Sequence, residues 1–99
     1  MGEVVTISVG DSAMDSFVAN SKSEVVGGSL VCMHGPGVDE FVRDICERLA
    51  SEGYLVVAPN FYHRQGDNLE EPWTKLNDAE AIADMRAAID LLESNLVPA

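Results

Sequence analysis

The residues with the most chemical potential lie in Leu30–Phe41, LVCMHGPGVDEF, where an apolar run meets a histidine, then Gly35-Pro36-Gly37, then two acids. A glycine-bearing turn between a strand and a helix is a common frame for an active site. Cys32 and His34 stand two apart, so on a strand they would share a face and a thiol–imidazole pair could form. That reading fails on two grounds. No carboxylate is placed to orient the imidazole, and a thiol buried in an apolar strand is a poor nucleophile. A phosphate cradle also fails. Asp39 and Glu40 occupy the helix start where an anion would have to sit, and the glycine spacing fits neither nucleotide motif. His34 is then foremost a buried hydrogen-bonding residue, next a residue facing a ligand, and least a metal ligand. His63, beside Arg64 and just past a strand end, reads as a solvated loop residue rather than a base.

The elements that would position these residues follow from periodicity. Val5, Ile7 and Val9 alternate with Val4, Thr6 and Ser8, which predicts a strand with one buried face. Gly10-Asp11-Ser12 is a turn, and Met14–Ala19 a second strand closing a hairpin. Asn20–Ser29 reads as a polar connection. Leu30–Met33 is continuously apolar, the pattern of a central strand covered on both faces. Val38, Phe41, Val42, Ile45 and Leu49 recur at helical spacing, with Asp39 as N-cap and Gly53 near the stop. Tyr54–Ala58 is the next buried strand, joined to the last by a right-handed parallel crossover. His63–Lys75 is a polar excursion. Asn77 and Glu80 stand at capping-box spacing before a helix over Asp78–Asn95, with Ile82, Met85, Ile89, Leu92 and Leu96 on one face.

Length and charge narrow the function. Ninety-nine residues allow one domain. A hydrophobic fraction of 46% marks an ordinary globular chain. Six Lys and Arg against 17 Asp and Glu give a net charge of −11, which repels phosphate backbones and anionic membranes. Nucleic acid and membrane are therefore excluded as partners. No apolar run approaches the roughly 20 residues of a membrane span. The start MGEVVTISVG has no basic leader, so a cytoplasmic protein is expected. Cys32 and Cys46 lack metal spacing and are expected to be reduced core residues. Neither a cofactor nor a metal is expected.

Taken together, several motifs resemble the dienelactone hydrolases, a branch of the α/β-hydrolase fold. FVAN at Phe17–Asn20 is similar to the family's second strand. The stretch from Leu30 to Asp67 is similar to its strand, active-site loop, helix with F-x-R, E-G-Y corner and P-D-L-Y-x-R-Q strand end. Asn60 stands where Asp is usual. The acidic helix over Asp78–Asn95 resembles the one before the nucleophile strand. The resemblance implies a partial α/β-hydrolase fold: an N-terminal hairpin, two parallel strands and two main helices. It covers nearly the whole chain but only the first part of the family's length.

The resemblance also implies which parts of a site are here. His34-Gly35-Pro36-Gly37 is similar to an oxyanion loop, where backbone N–H groups meet the oxygen that turns negative in acyl transfer. Gly35 can donate, and Pro36 has no N–H. The family usually carries glutamate at the position of His34. Its nucleophile sits in a G-x-C-x-G elbow, and neither that motif nor G-x-S-x-G occurs in these residues. The expectation is a hydrolase-like domain without its triad, inactive alone on carboxylic esters or lactones. Two alternatives remain: a hydrolase completed by another chain or segment, and a binding or structural module using a pocket near His34, Gly35 and Tyr62. In the family's sheet the strand ending at His34 neighbours the nucleophile strand. A homodimer is therefore expected through the open edge of Leu30, Val31, Cys32 and Met33, or through the adjacent helix faces.

Overall fold

A two-residue turn starts the architecture. Gly10 holds φ +59 at the first turn position, the requirement of a II′-type hairpin. It joins β1 (Gly2–Val9) to β2 (Ser12–Ala19) in antiparallel register, with Val9 opposite Ser12 and Val4 opposite Phe17. The chain is described here by a computed structural model over residues 2–21, 24–33, 37–65 and 71–96. His34, Gly35 and Pro36 lie outside the described residues, as do Gly66, Asp67 and Pro98.

Next come β3 (Gly27–Leu30), α1 (Glu40–Ser51), β4 (Tyr54–Pro59) and α2 (Asp78–Leu96). The sheet order is β1-β2-β4-β3; β4 runs antiparallel to β2 and parallel to β3. This is a mixed sheet with two helices, consistent with the partial α/β fold that the resemblance implies.

The helices lie on opposite faces of the sheet. On one face Phe17, Ala19, Val56 and Ala58 pack with Val42, Cys46 and Ala50 of α1. On the other, Leu55 and Val57 pack with Ala88 and Leu92 of α2, and Ile7, Val18 and Leu30 join them. Strand alternation sends neighbouring side chains to opposite faces, so β4 is covered on both sides and reads as an unbroken apolar run.

Several expectations need correction. The third strand is Gly27–Leu30, not Leu30–Met33, so part of the expected connection Asn20–Ser29 is strand. Its pairing reaches one residue further, with Val31 N–H donating to Val57 O at 2.9 Å. The strand sits at the sheet edge rather than in its centre, and Cys32 beyond it is exposed. Cys46 is buried as expected. The helix stripes are also displaced. Val42, Cys46 and Ala50 form the buried line of α1, while Phe41 is 63% exposed. Asp84, Ala88 and Leu92 are the buried line of α2, while Ile82 is exposed. Small residues fit closest to the sheet, and the larger ones flank them. The side chain of Leu96 lies outside the described residues.

Both helix starts follow the sequence. The Asp39 side chain accepts from Val42 N–H at 3.1 Å. Asn77 accepts from Glu80 N–H at 2.9 Å, and its amide donates back to the Glu80 carboxylate at 2.6 Å. This is a capping box closed through the asparagine amide rather than through the cap's own backbone N–H. Gly53, at φ +103, follows the end of α1.

Candidate functional site

The C-terminal end of β4 is where the chemistry-bearing residues gather. Antiparallel pairing brings the start of β2 to the same end, with Asn60 N–H donating to Asp15 O at 3.2 Å. Past β4 the chain turns tightly. Asn60 Oδ1 accepts from Tyr62 N–H at 3.0 Å, and a short 3-10 turn, His63–Gln65, follows. Gln65 fastens this turn to the next one, its amide donating to Pro72 O at 3.0 Å ahead of Pro72–Lys75.

On the α1 face this end forms an open cleft of about 300 Å³, bordered by Phe17, Gly37, Val38, Arg43, Asn60 and Tyr62 among others. Two of the predicted site residues, Gly37 and Tyr62, meet here. Gly37 is buried at φ +91, a backbone region that side chains disfavour, and a Cβ there would sit 3.5 Å from the Tyr62 ring. Burial raises the Tyr62 hydroxyl above its ordinary pKa, because the phenolate would lose hydration. The Arg43 guanidinium lies 5.5 Å from the centre of the Phe17 ring, within cation–π range. His34 and Gly35, the other predicted site residues, lie outside the described residues.

On the α2 face the same end holds a polar network that the sequence patterns did not reveal. His63 is not a solvated loop residue. Its side chain is 3% exposed, and Nε2 lies 2.9 Å from Asp84 Oδ1. Its Nδ1 lies 2.8 Å from Ser12 Oγ. Arg64 donates from both terminal nitrogens to Asp84, at 3.0 and 2.9 Å, and its Nε is 3.4 Å from Glu80. Asp84 is 1% exposed, so a buried carboxylate is met by a guanidinium fork and an imidazole. Asp84 falls on the buried stripe of α2, in a place where periodicity alone predicts an apolar residue. A carboxylate at a core position, with Arg and His one strand-end away in sequence, was the available signal. Among the described residues no cluster of His, Cys, Asp and Glu could hold a metal ion, and no helix is long and apolar enough to cross a membrane.

The model of the Dienelactone hydrolase family matches residues 14–97, most of the chain, from within β2 to the end of α2. The chain belongs to the dienelactone hydrolase family. Relatives of this family with a provisional carboxymethylenebutenolidase name include one from Escherichia coli K12, 43% identical over 58 residues. That match takes in 50% of this chain and 21% of the relative. Another, from Yersinia pestis, is 38% identical over 60 residues, 56% of this chain and 22% of the relative. A crystal structure provisionally titled a dienelactone hydrolase, from Klebsiella pneumoniae, superposes with a TM-score of 0.76 at 28% identity. It is covered for 44% of its length by 95% of this chain. A dienelactone hydrolase structure from Anabaena variabilis shares the fold at a TM-score of 0.67 and 15% identity, with 94% of this chain and 44% of that one covered. The chain thus spans about a fifth of the length of the curated relatives it matches. In this chain the α1-face cleft adjoins Gly37, and the polar network lies across the sheet from it.

Proposed function

We propose that the chain forms the oxyanion-side portion of a carboxylic ester or lactone hydrolase and does not turn over such substrates alone. One observation carries this reading: in the order β1-β2-β4-β3, the strand that leads to the glycine-bearing turn lies at the sheet edge. That edge is the place for a further strand carrying a nucleophile elbow, and the 99 residues contain no such motif. The resemblance gives this turn the role of an oxyanion loop offering backbone N–H groups, and Gly37 borders the cleft beside the Tyr62 ring. The lactone class is suggested by the names of the relatives. A reducing cytoplasm suits the exposed thiol of Cys32.

The test is the hydrolysis of p-nitrophenyl acetate and a five-membered enol lactone by the purified chain. Above the spontaneous rate, product should level off at the few equivalents that one-time acylation of exposed groups accounts for. Sustained release over many equivalents would overturn the reading.

A second reading rests on the same edge. The unpaired side of β3 favours antiparallel pairing with a second copy, giving a two-fold homodimer with one continuous sheet. Light scattering behind size exclusion should give twice the chain mass. A monomer at micromolar concentration sinks the dimer and leaves the hydrolase reading standing.

A further inference from the structure

We propose that Ser12 is an acyl-accepting nucleophile with His63 as its general base, oriented by Asp84, in a site separate from the family's oxyanion turn. The argument starts from proton positions. A carboxylate only accepts hydrogen bonds, so at 2.9 Å His63 Nε2 must carry the proton it gives to Asp84. The Arg64 fork donates to both Asp84 oxygens and fixes the carboxylate's position against the imidazole. In the neutral imidazole Nδ1 is then the bare nitrogen, and at 2.8 Å it takes the Ser12 hydroxyl as donor. A hydroxyl donating to an imidazole that is held by a buried carboxylate is the arrangement that activates serine in acyl transfer. The ring is used in the reverse sense, with Nδ1 toward the hydroxyl. The proton transfer asks only that the basic nitrogen be within reach.

Access separates this cluster from a closed structural lock. Asp84 and the His63 ring are buried, whereas Ser12 is partly exposed. Its neighbours Gly10, Asp11 and Ala13 are exposed at the hairpin end. An acyl donor can thus approach Ser12 from solvent while the base stays behind it. The substrate class is an activated aryl ester, whose phenolate leaves without a protonated partner. Ser12 Oγ forms a bond to the acyl carbon, the C–O bond to the phenolate breaks, and the hydroxyl proton passes to His63 Nδ1. The product is an O-acyl serine, made once per chain. This does not depend on the hydrolase reading. Sustained turnover would refute that reading, while the position of the adduct decides this one.

The experiment incubates the native chain with p-nitrophenyl acetate and, separately, a fluorophosphonate probe, and locates adducts by peptide mass spectrometry. Ser51 and Ser94 are internal references, because their hydroxyls donate only to the backbone oxygens of Arg48 and Leu91. Ser12 should label about 100-fold faster than either, the lower end of the gain from a positioned base, and His63→Ala should abolish that excess. Equal labelling of Ser12 and Ser51, or undiminished labelling in a folded His63→Ala chain, overturns the proposal. If that variant does not fold, the comparison of serines within the native chain still decides. Imidazole nitrogen NMR reads the role of Asp84 apart from stability. The native chain should show the Nε2–H tautomer, and Asp84→Asn, whose amide can donate to Nε2, should shift the proton to Nδ1. An Nδ1–H tautomer in the native chain overturns the assignment of His63 as base.

Discussion

Replacing Asp84 by Asn removes a charge from the most buried point of the network while keeping the side chain's shape. Asp84 takes three charge-assisted contacts, from His63 at 2.9 Å and from Arg64 at 3.0 and 2.9 Å. Hydrogen bonds to charged groups contribute about 1.5–3 kcal/mol each, so their sum sets only an upper bound. Two features reduce the cost. The Arg64 side chain is 26% exposed and can turn toward water or Glu80, and the Asn oxygen can still accept one bond. We expect a loss of about 3 kcal/mol, the low end for breaking a buried pair. For a domain of this size that lowers the melting temperature by about 12 °C or more. Arg64→Gln should cost a similar amount, because it leaves Asp84 buried with only His63. In the double variant the two losses overlap, with a coupling of about 2 kcal/mol. Urea unfolding followed by far-ultraviolet circular dichroism measures all four corners of the cycle. A coupling under about 0.5 kcal/mol would refute the view that Arg64 and Asp84 act as one unit.

Other expectations concern the cysteines and the glycine-bearing turn. Cys32 is exposed and Cys46 buried, so a thiol reagent at pH 8 should titrate one cysteine in the native chain and two in denaturant. Finding two at once in the native chain would contradict the burial of Cys46. Burial pushes the Cys46 thiol up from its ordinary 9.0 to about 11, helped by nearby Glu47 and opposed by a backbone hydrogen bond. The unfolded thiol therefore ionises first as pH rises. Stability should hold below pH 9 and decline toward pH 11, with Tyr62 acting in the same direction. Cys46→Ala should flatten that decline in denaturant melts run from pH 7 to 11. Gly37→Ala should cost about 1–2 kcal/mol, because φ +91 strains any side chain. A neutral result would show that the backbone there relaxes freely.

Elements with strong periodicity were legible in the sequence. The β1–β2 hairpin, both helices with their caps, and β4 appear where alternation, capping residues and a continuous apolar run put them. β3 was misplaced for a physical reason. Gly27-Gly28-Ser29 offers the sheet its backbone and almost no side chain, so it carries no apolar signal, while the louder run Leu30–Met33 mostly follows the strand. The displaced helix stripes have a related cause. Phe41 and Ile82 dominate any reading of hydrophobic spacing, yet the helix-to-sheet distance is set by the small residues Cys46, Ala50 and Ala88.

The polar network was illegible for a deeper reason. Its members come from a hairpin start, a strand end and a helix middle, with 51 positions between Ser12 and His63 and 21 between His63 and Asp84. Local rules assign each residue separately, and each assignment is reasonable alone: a turn serine, a loop histidine, an acid on a charged helix. Only the sheet order makes them neighbours, because β2 runs antiparallel to β4 and brings Ser12 to the end where His63 emerges. Burial then changes what each group can do. A surface Asp–Arg pair is worth little, whereas this one lies buried against an imidazole whose tautomer decides which way the Ser12 hydroxyl points. The sense of that hydrogen bond separates a buried lock from a reactive site. The tautomer of His63 is therefore the most informative single measurement on this chain.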